Sequence, residues 1–331
     1  GLGNYMVMRH TLNHIGSEPD NESFKVWKLL AVLAGGVAAI FFSTIILKYG
    51  AIARIFVYLA GLFVLVIFGW LIATCHKSEK AGIIISLVLV IETVFFFIFY
   101  QQMSTSLNLF ALRDVDPAFR LFGMHLFTWD PAQFQALNPI WIFILSPILA
   151  IIYTRAAKGG GDLSIASKFA IGFAAVAIGF FIYGSAAHFT TSPGQTSQWV
   201  MVGGYGFGAL GELLTSGLGL AFIARYVPAR MGGFMMGAYF VASGVAQYAG
   251  GWVATFASVP DTITAPVEMM PIYTNLYNWL GVAGIACTIF ALIVAWVLWL
   301  LDRKGILRFE QSEAHLTPEH GGGTPTISSE M

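Results

Sequence analysis

The chain has 331 residues, 57% of them hydrophobic and only 10% charged, with a mean hydropathy of +0.75 and a formal net charge of zero. Soluble domains carry about 25% charged residues, so the composition excludes a water-soluble globular protein and implies a polytopic membrane protein. The balanced charge offers nothing for a nucleic acid, and two cysteines in apolar surroundings, Cys75 and Cys287, exclude a disulfide framework and a Cys/His metal site.

In chain order, Gly1–His14 reads as the end of a helix leaving the membrane, with Arg9, His10 and His14 at its exit. A polar loop, His14–Glu22, follows, with helix-start residues at Asn21 and Ser23. Val26–Leu47 and Ile55–Thr74 are both long enough to span a bilayer and are joined by a tight turn at Lys48-Tyr49-Gly50 and Arg54. They carry no buried acid and read as a peripheral, lipid-facing hairpin. Beyond the charged loop His76–Lys80 comes the most aromatic span, Ile83–Ala111, with Glu92 inside it and Gln101-Gln102 after the run Phe95–Tyr100.

A long loop, Arg113–Gln135, precedes the next span. Asp130 is its predicted N-cap and Pro131 its first helical residue. Asn138-Pro139 then falls two turns inside the helix, where Pro139 is expected to kink it. The helix is expected to end near Thr154. Four more spans follow: Phe169–Ala187, the segment around Glu212 that ends in the basic turn Arg225–Arg230, Gly232–Phe256, and Asn275–Leu301. A polar tail begins at Gln311. The expected division is therefore 1–22, the end of a preceding helix with a cytoplasmic loop; 23–75, a two-helix transmembrane hairpin; 81–304, a six-helix bundle; and 305–331, a polar cytoplasmic tail.

The basic residues orient the bundle. Loops bearing Arg155, Lys158 and Lys168, then Arg225 and Arg230, then Arg303, Lys304 and Arg308 alternate with loops free of Lys and Arg, His188–Gln198 and Ser258–Pro271. The positive-inside rule places the basic loops and the C-terminus in the cytoplasm. Two features run against it. Arg113 and Arg120 lie among acids in an outer loop, and the hairpin turn with Lys48 and Arg54 falls outside.

Polar residues within spans carry the chemistry. An acid at mid-membrane depth costs about 2.5–3.5 kcal/mol on insertion scales and usually faces a cavity. Glu212 is such an acid, suited to holding a substrate ammonium, carrying a proton, or alternating between the two; its bland reading is a structural acid paired to a neighbouring helix. Glu92, nearer the cytoplasmic end, reads as a snorkelling or helix-pairing acid. Gln101 and Gln102 offer amides to a peptide-like ligand or to a neighbouring helix. Asn138 offers an amide to a ligand or to the kinked backbone. Tyr239 and Tyr248 read first as packing residues. Gly206–Gly211 fits a GxGxxG pattern, but inside an apolar helix with no preceding strand it serves close helix packing rather than a dinucleotide.

Phe99–Ala111 (FYQQMSTSLNLFA), Ala132–Trp141 (AQFQALNPIW), Gly211–Leu220 (GELLTSGLGL) and Tyr226–Gly237 (YVPARMGGFMMG), in that order, resemble the proton-dependent oligopeptide transporter (POT) family of the major facilitator superfamily, and within it the bacterial dipeptide and tripeptide permeases. The likeness runs from the His14–Asp20 loop through the last span. It implies an all-α polytopic membrane protein: the C-terminal six-helix half of a major-facilitator fold, preceded by the extra hairpin Val26–Thr74. The N-terminal six-helix half, with its own substrate-binding residues, is expected to be missing from this chain.

The resemblance also implies roles. Glu212 matches the family glutamate that pairs with the peptide α-amino group and takes part in proton coupling, and Asn138 the asparagine near that group. Tyr239 and Phe97 stand at pocket positions often held by Trp. Gln101 stands where many members carry an acid linked to proton coupling, which a glutamine cannot replace. Ser216, one turn after Glu212, is expected to face the same cavity. The implied activity is proton-coupled symport of di- and tripeptides across the cytoplasmic (inner) membrane, with no enzyme chemistry and no metal or cofactor other than the proton. The alternatives are a major-facilitator transporter for another small solute and a non-transporting half-transporter subunit. Implied partners are di- and tripeptides, protons, the lipid bilayer and the missing half.

Overall fold

The computed structural model describes residue 6 and residues 26–303, except 123, 159–163, 193, 217–228, 261 and 264. The expected helix end at Gly1–His14, most of the basic turn Arg225–Arg230 and the C-terminal tail lie outside the described residues. The chain forms two compact units, Gly1–Tyr58 and Leu59–Met331.

In the first unit, α1 (Val26–Lys48) passes through the single residue Tyr49 into α2 (Gly50–Thr74), which continues beyond the unit. The turn is sharp enough to bring the Phe42 and Phe56 rings edge-to-face at 5.3 Å. Every α1 residue whose side chain is described is exposed or, at Ile45 and Ile46, half-buried.

The second unit is built from long helices. Here α3 (Lys77–Tyr100) is followed by a 3-10 turn, Gln101–Ser104, and by α4 (Ser106–Arg113). The predicted Ile83–Ala111 span is therefore broken just after the aromatic run. Next come α5 (Leu137–Lys158), α6 (Ile165–Gly184), α7 (Gln198–Thr215), α8 (Ala229–Ala254) and α9 (Pro266–Arg303). The last starts nine residues before the expected Asn275, with Pro271 inside it. By length and composition six described helical segments can cross a bilayer. The other two, α7 and α8, are diluted by glycine and polar residues.

The centre of the unit is α6, which packs on α7 and α9, while α5 packs on α7 and α8 on α3. Small residues allow the closest of these crossings. A Cβ on Gly172 of α6 would come within 2.6 Å of Thr215 Cγ2, and one on Gly211 of α7 within 2.5 Å of Val176 Cγ2. Such close backbone approach is how helices associate where no hydrophobic drive separates protein from lipid. Phe99, Phe173, Phe180 and Tyr183 fill the space around that crossing.

Two β-hairpins, read as plain loops in the sequence, cap one end of the unit. Strand β1 (Ala118–Leu121) pairs antiparallel with β2 (Met124–Thr128), and β3 (Thr190–Ser192) with β4 (Gln195–Thr196). Gly194, at φ +86°, makes the second turn. The two loops are tied where Val115 pairs with Thr196.

Candidate functional site

The entry to α5 is fixed before its first apolar residue. Asp130 accepts from the backbone N–H of Ala132 at 3.0 Å, and the Asp130 N–H donates to Gln133 Oε1 at 3.0 Å. This reciprocal cap opens a 3-10 segment, Pro131–Ala136, and only then does α5 begin. Pro139 therefore sits in the first α-helical turn. There a missing N–H is no loss, so the expected kink has no cause; the proline inside α5 is Pro147. Asn138, beside Pro139, is buried and faces α7.

Helix α7 starts at Ser197, whose hydroxyl accepts from the Trp199 N–H at 3.4 Å. Glu212 lies in its last described turn and is half-buried. Asn138 Nδ2 donates to Glu212 Oε2 at 2.9 Å. A carboxylate can only accept, so the amide must present its nitrogen there. Asn138 Oδ1 is left buried with no hydrogen-bond partner among the described residues. The pair thus offers carboxylate and amide oxygens together, all acceptors, which suits a group with several N–H donors. One turn along α5, Trp141 Nε1 donates to the Val202 carbonyl at 2.9 Å and its ring covers Gly206. That fastens the α5–α7 seam beside the pair.

The other expected site residues sit on α3, in the 3-10 turn after it, on α8 and at the end of α7. Phe97 is half-buried, edge-to-face with Tyr100 at 6.0 Å, and Tyr100 lies within electrostatic range of Glu212. Tyr239 is buried on α8, its ring edge-to-face with Phe240 at 5.6 Å. Gln101 rests against α8, where a Cβ on Gly250 would come within 2.6 Å of Gln101 Cβ. Ser216 closes the described part of α7, its N–H donating to the Glu212 carbonyl.

Gln102 has become a fastener. Fully buried, it donates to the carbonyls of Gly250 at 2.9 Å and Ile98 at 3.1 Å and accepts from the Ser106 hydroxyl at 2.8 Å. Glu92 departs from both readings made of it. It is fully buried, so it does not snorkel, and neither oxygen has a hydrogen-bond partner among the described residues. Sequence reasoning passed over Trp141 and Tyr100. The spacing of three between Asn138 and Trp141 puts both on one face of α5 and was the available signal for the first.

The POT family model matches residues 31–279. The chain belongs to the POT family. Among curated relatives, this POT chain is 37% identical over 302 residues to the dipeptide and tripeptide permease B of Salmonella typhimurium, covering 91% of this chain and 61% of that protein. It is 38% identical over 295 residues to the same-named permease of Aeromonas hydrophila, covering 88% and 58%. Among solved structures, tetrameric PepTSo2 matches with a TM-score of 0.76 and 56% identity over 92% of this chain and 60% of the other. A bacterial homologue of the human drug peptide transporters PepT1 and PepT2 matches with a TM-score of 0.74 and 56% identity over 91% and 60%. The chain spans about three fifths of the length of these relatives, and its fold is the all-α, multi-pass membrane fold of POT transporters.

Proposed function

We propose that this chain forms the Glu212–Asn138 side of the cavity of a proton-coupled symporter for di- and tripeptides, working by alternating access in the cytoplasmic membrane. The observation that carries the proposal is the Asn138–Glu212 hydrogen bond. It gathers acceptor oxygens from two helices at one point of a chain whose relatives are named dipeptide and tripeptide permeases. A peptide's α-ammonium presents three N–H donors and a positive charge, which is what these oxygens accept. A proton neutralises the same carboxylate, so ammonium and proton compete for Glu212, and that competition links peptide movement to proton movement. Tyr239, Phe97, Gln101 and Ser216 belong to the surrounding wall in this reading. Residues 23–75 act as a peripheral hairpin and 81–304 as one six-helix half, which rocks against a second half about a midplane site. The basic loops and the C-terminus lie in the cytoplasm.

The test is uptake of labelled dialanine by liposomes holding the full-length protein that contains this chain, with and without an inward proton gradient. Gradient-dependent accumulation is expected, competed by tripeptides and not by free amino acids. Glu212→Gln should abolish it. Accumulation by that variant at the parent's rate would remove Glu212 from the mechanism.

A further inference from the structure

The hairpin β1–β2 lies between two helical segments able to cross a bilayer. The one before it ends at Arg113 and the one after it begins at Pro131, while its strands occupy Ala118–Leu121 and Met124–Thr128. Connections this short keep the base of the hairpin at the membrane surface. Alternation along the strands gives it two unlike faces. Phe119 pairs with Phe127 and Leu121 with Met124 on one face; Arg120 pairs with His125 on the other, and a register shift leaves Leu126 as the extra residue of a bulge. The side chains agree with this division. The Phe119 and Phe127 rings stack at 4.9 Å, and His125 Nε2 stands 3.1 Å from the Thr128 hydroxyl. One face is apolar and the other polar and basic, with no acid on either strand.

At its base the apolar face rests on tryptophans at helix ends. Phe119 meets Trp199, in the first turn of α7, at 5.4 Å, and Phe127 meets Trp129, just before Pro131, at 4.9 Å. Tryptophan at the end of a span marks the level of the lipid headgroups. Gln198 Nε2 ties the hairpin to the same end of α7 by donating to the Arg120 carbonyl at 3.4 Å. Toward the tip the apolar side chains run beyond these supports: Met124 is 63% exposed, Leu126 51% and Phe122 93%. Phe122 is the most telling of them. Two residues, Phe122 and Gly123, join the strands, and a two-residue loop requires positive φ at its first position, where Asn, Asp or Gly is favoured. Phe122 takes φ +51°, a conformation that a bulky side chain adopts only at a cost. Almost nothing among the described residues covers its ring, so no contact on this hairpin offsets that cost.

We propose that the β1–β2 hairpin is a membrane-surface anchor. Phe122, Met124 and Leu126 insert at the boundary between headgroups and acyl chains of the leaflet on that side, and Arg120 and His125, on the back of the hairpin, stay at the level of the lipid phosphates. Lipid is the occupant because the apolar face continues from the tryptophan level of the flanking helices, which the bilayer already surrounds. The charge pattern fits the same occupant. An apolar edge with a basic back is the arrangement of segments that lie in the interface, and basic residues there are drawn to anionic headgroups. Insertion also supplies what Phe122 lacks within the chain, since it takes an exposed aromatic ring out of water.

The test uses the full-length protein that contains this chain, with Cys75, Cys287 and any other cysteine changed to serine, in vesicles of phosphatidylethanolamine and phosphatidylglycerol. A nitroxide label is attached at Phe122→Cys and, on the opposite face, at His125→Cys. Its collisions are measured with oxygen, which concentrates in the bilayer, and with a water-soluble nickel chelate. At position 122 oxygen should dominate, at a depth of about 5–10 Å, as for other interfacial segments; at position 125 the nickel chelate should. Met124→Cys leaves the turn untouched and should read as position 122 does, so the result stands even where Phe122→Cys fails to fold. Nickel access at 122 and 124 equal to that at 125 places the tip in water and overturns the anchor. Labels at 122 and 124 shielded from both reagents put protein over the tip, either the rest of the chain or a second copy, and overturn it too.

Discussion

Helices α1 and α7 are both apolar segments interrupted by glycine, and the structure uses them in opposite ways. In α1, Gly35 and Gly36 would each carry a Cβ into open space, with nothing within 4 Å. In α7, Gly204 lies under the Tyr183 ring, Gly206 under Trp141 and Gly211 against α6. By hydropathy α1 is the better span, yet the chemistry sits on α7, the helix whose hydropathy is lowered by its glycines and one acid. A glycine in a span is thus informative only through what fills the space its missing side chain leaves.

The largest expected effect tests that contrast directly. Gly211→Leu must displace Val176 and the Gly172 backbone and should destabilise the full-length protein by about 1–3 kcal/mol or prevent folding, as overpacking does. Gly36→Leu should stay within about 0.5 kcal/mol, as substitutions away from packed features do. Thermal unfolding in detergent compares the two. Equal losses would mean that α1 is packed as tightly as α7 in the whole protein, and the contrast would fail.

The next prediction sets Asp114, a buried carboxyl with no hydrogen-bond partner among the described residues, beside Glu212, which has an amide partner. The Asp114 carboxyl is raised from 3.8 to about 7, so the folded state holds this proton more tightly than the unfolded chain. Its contribution to stability is then complete below about pH 4 and is lost as pH rises through about 7. Asp114→Asn keeps a neutral side chain at every pH and should flatten that part of the profile. Melting curves of the parent at pH 5 and pH 8 should differ more than those of the variant. Identical pH slopes would show that Asp114 is hydrated in the whole protein.

The sequence carried the helices well, because long apolar runs between polar loops leave little choice. The Glu212–Asn138 pair was also legible, but through family resemblance, since the residues lie 74 positions apart and no local spacing joins them. What was lost was local geometry. A 3-10 start moved Pro139 from two turns inside a helix to its first turn, and that removed the kink. Gln101 and Gln102 look alike in the sequence. In the 3-10 turn a rotation of about 120° between neighbours turns Gln102 into a clamp on Gly250, while Gln101 rests its Cβ on the same glycine.

The smallest expected effect concerns the seam that holds the pair. Trp141→Phe removes the hydrogen bond to the Val202 carbonyl but keeps an aromatic ring over Gly206. Inside α7 the Val202 carbonyl also accepts the backbone N–H four residues on, so losing the indole leaves no orphan acceptor. Interhelical hydrogen bonds in membranes average roughly 0.6 kcal/mol, and the loss should be of that order. The functional consequence is expected to be sharper than the energetic one, because Trp141 sits one turn from Asn138 and fixes how α5 presents that amide to Glu212. Dialanine affinity should fall in Trp141→Phe while the melting temperature barely moves. If affinity is unchanged, the ring's packing over Gly206 is enough to set the seam, and α5–α7 resembles the α6–α7 crossing more than a hydrogen-bonded joint.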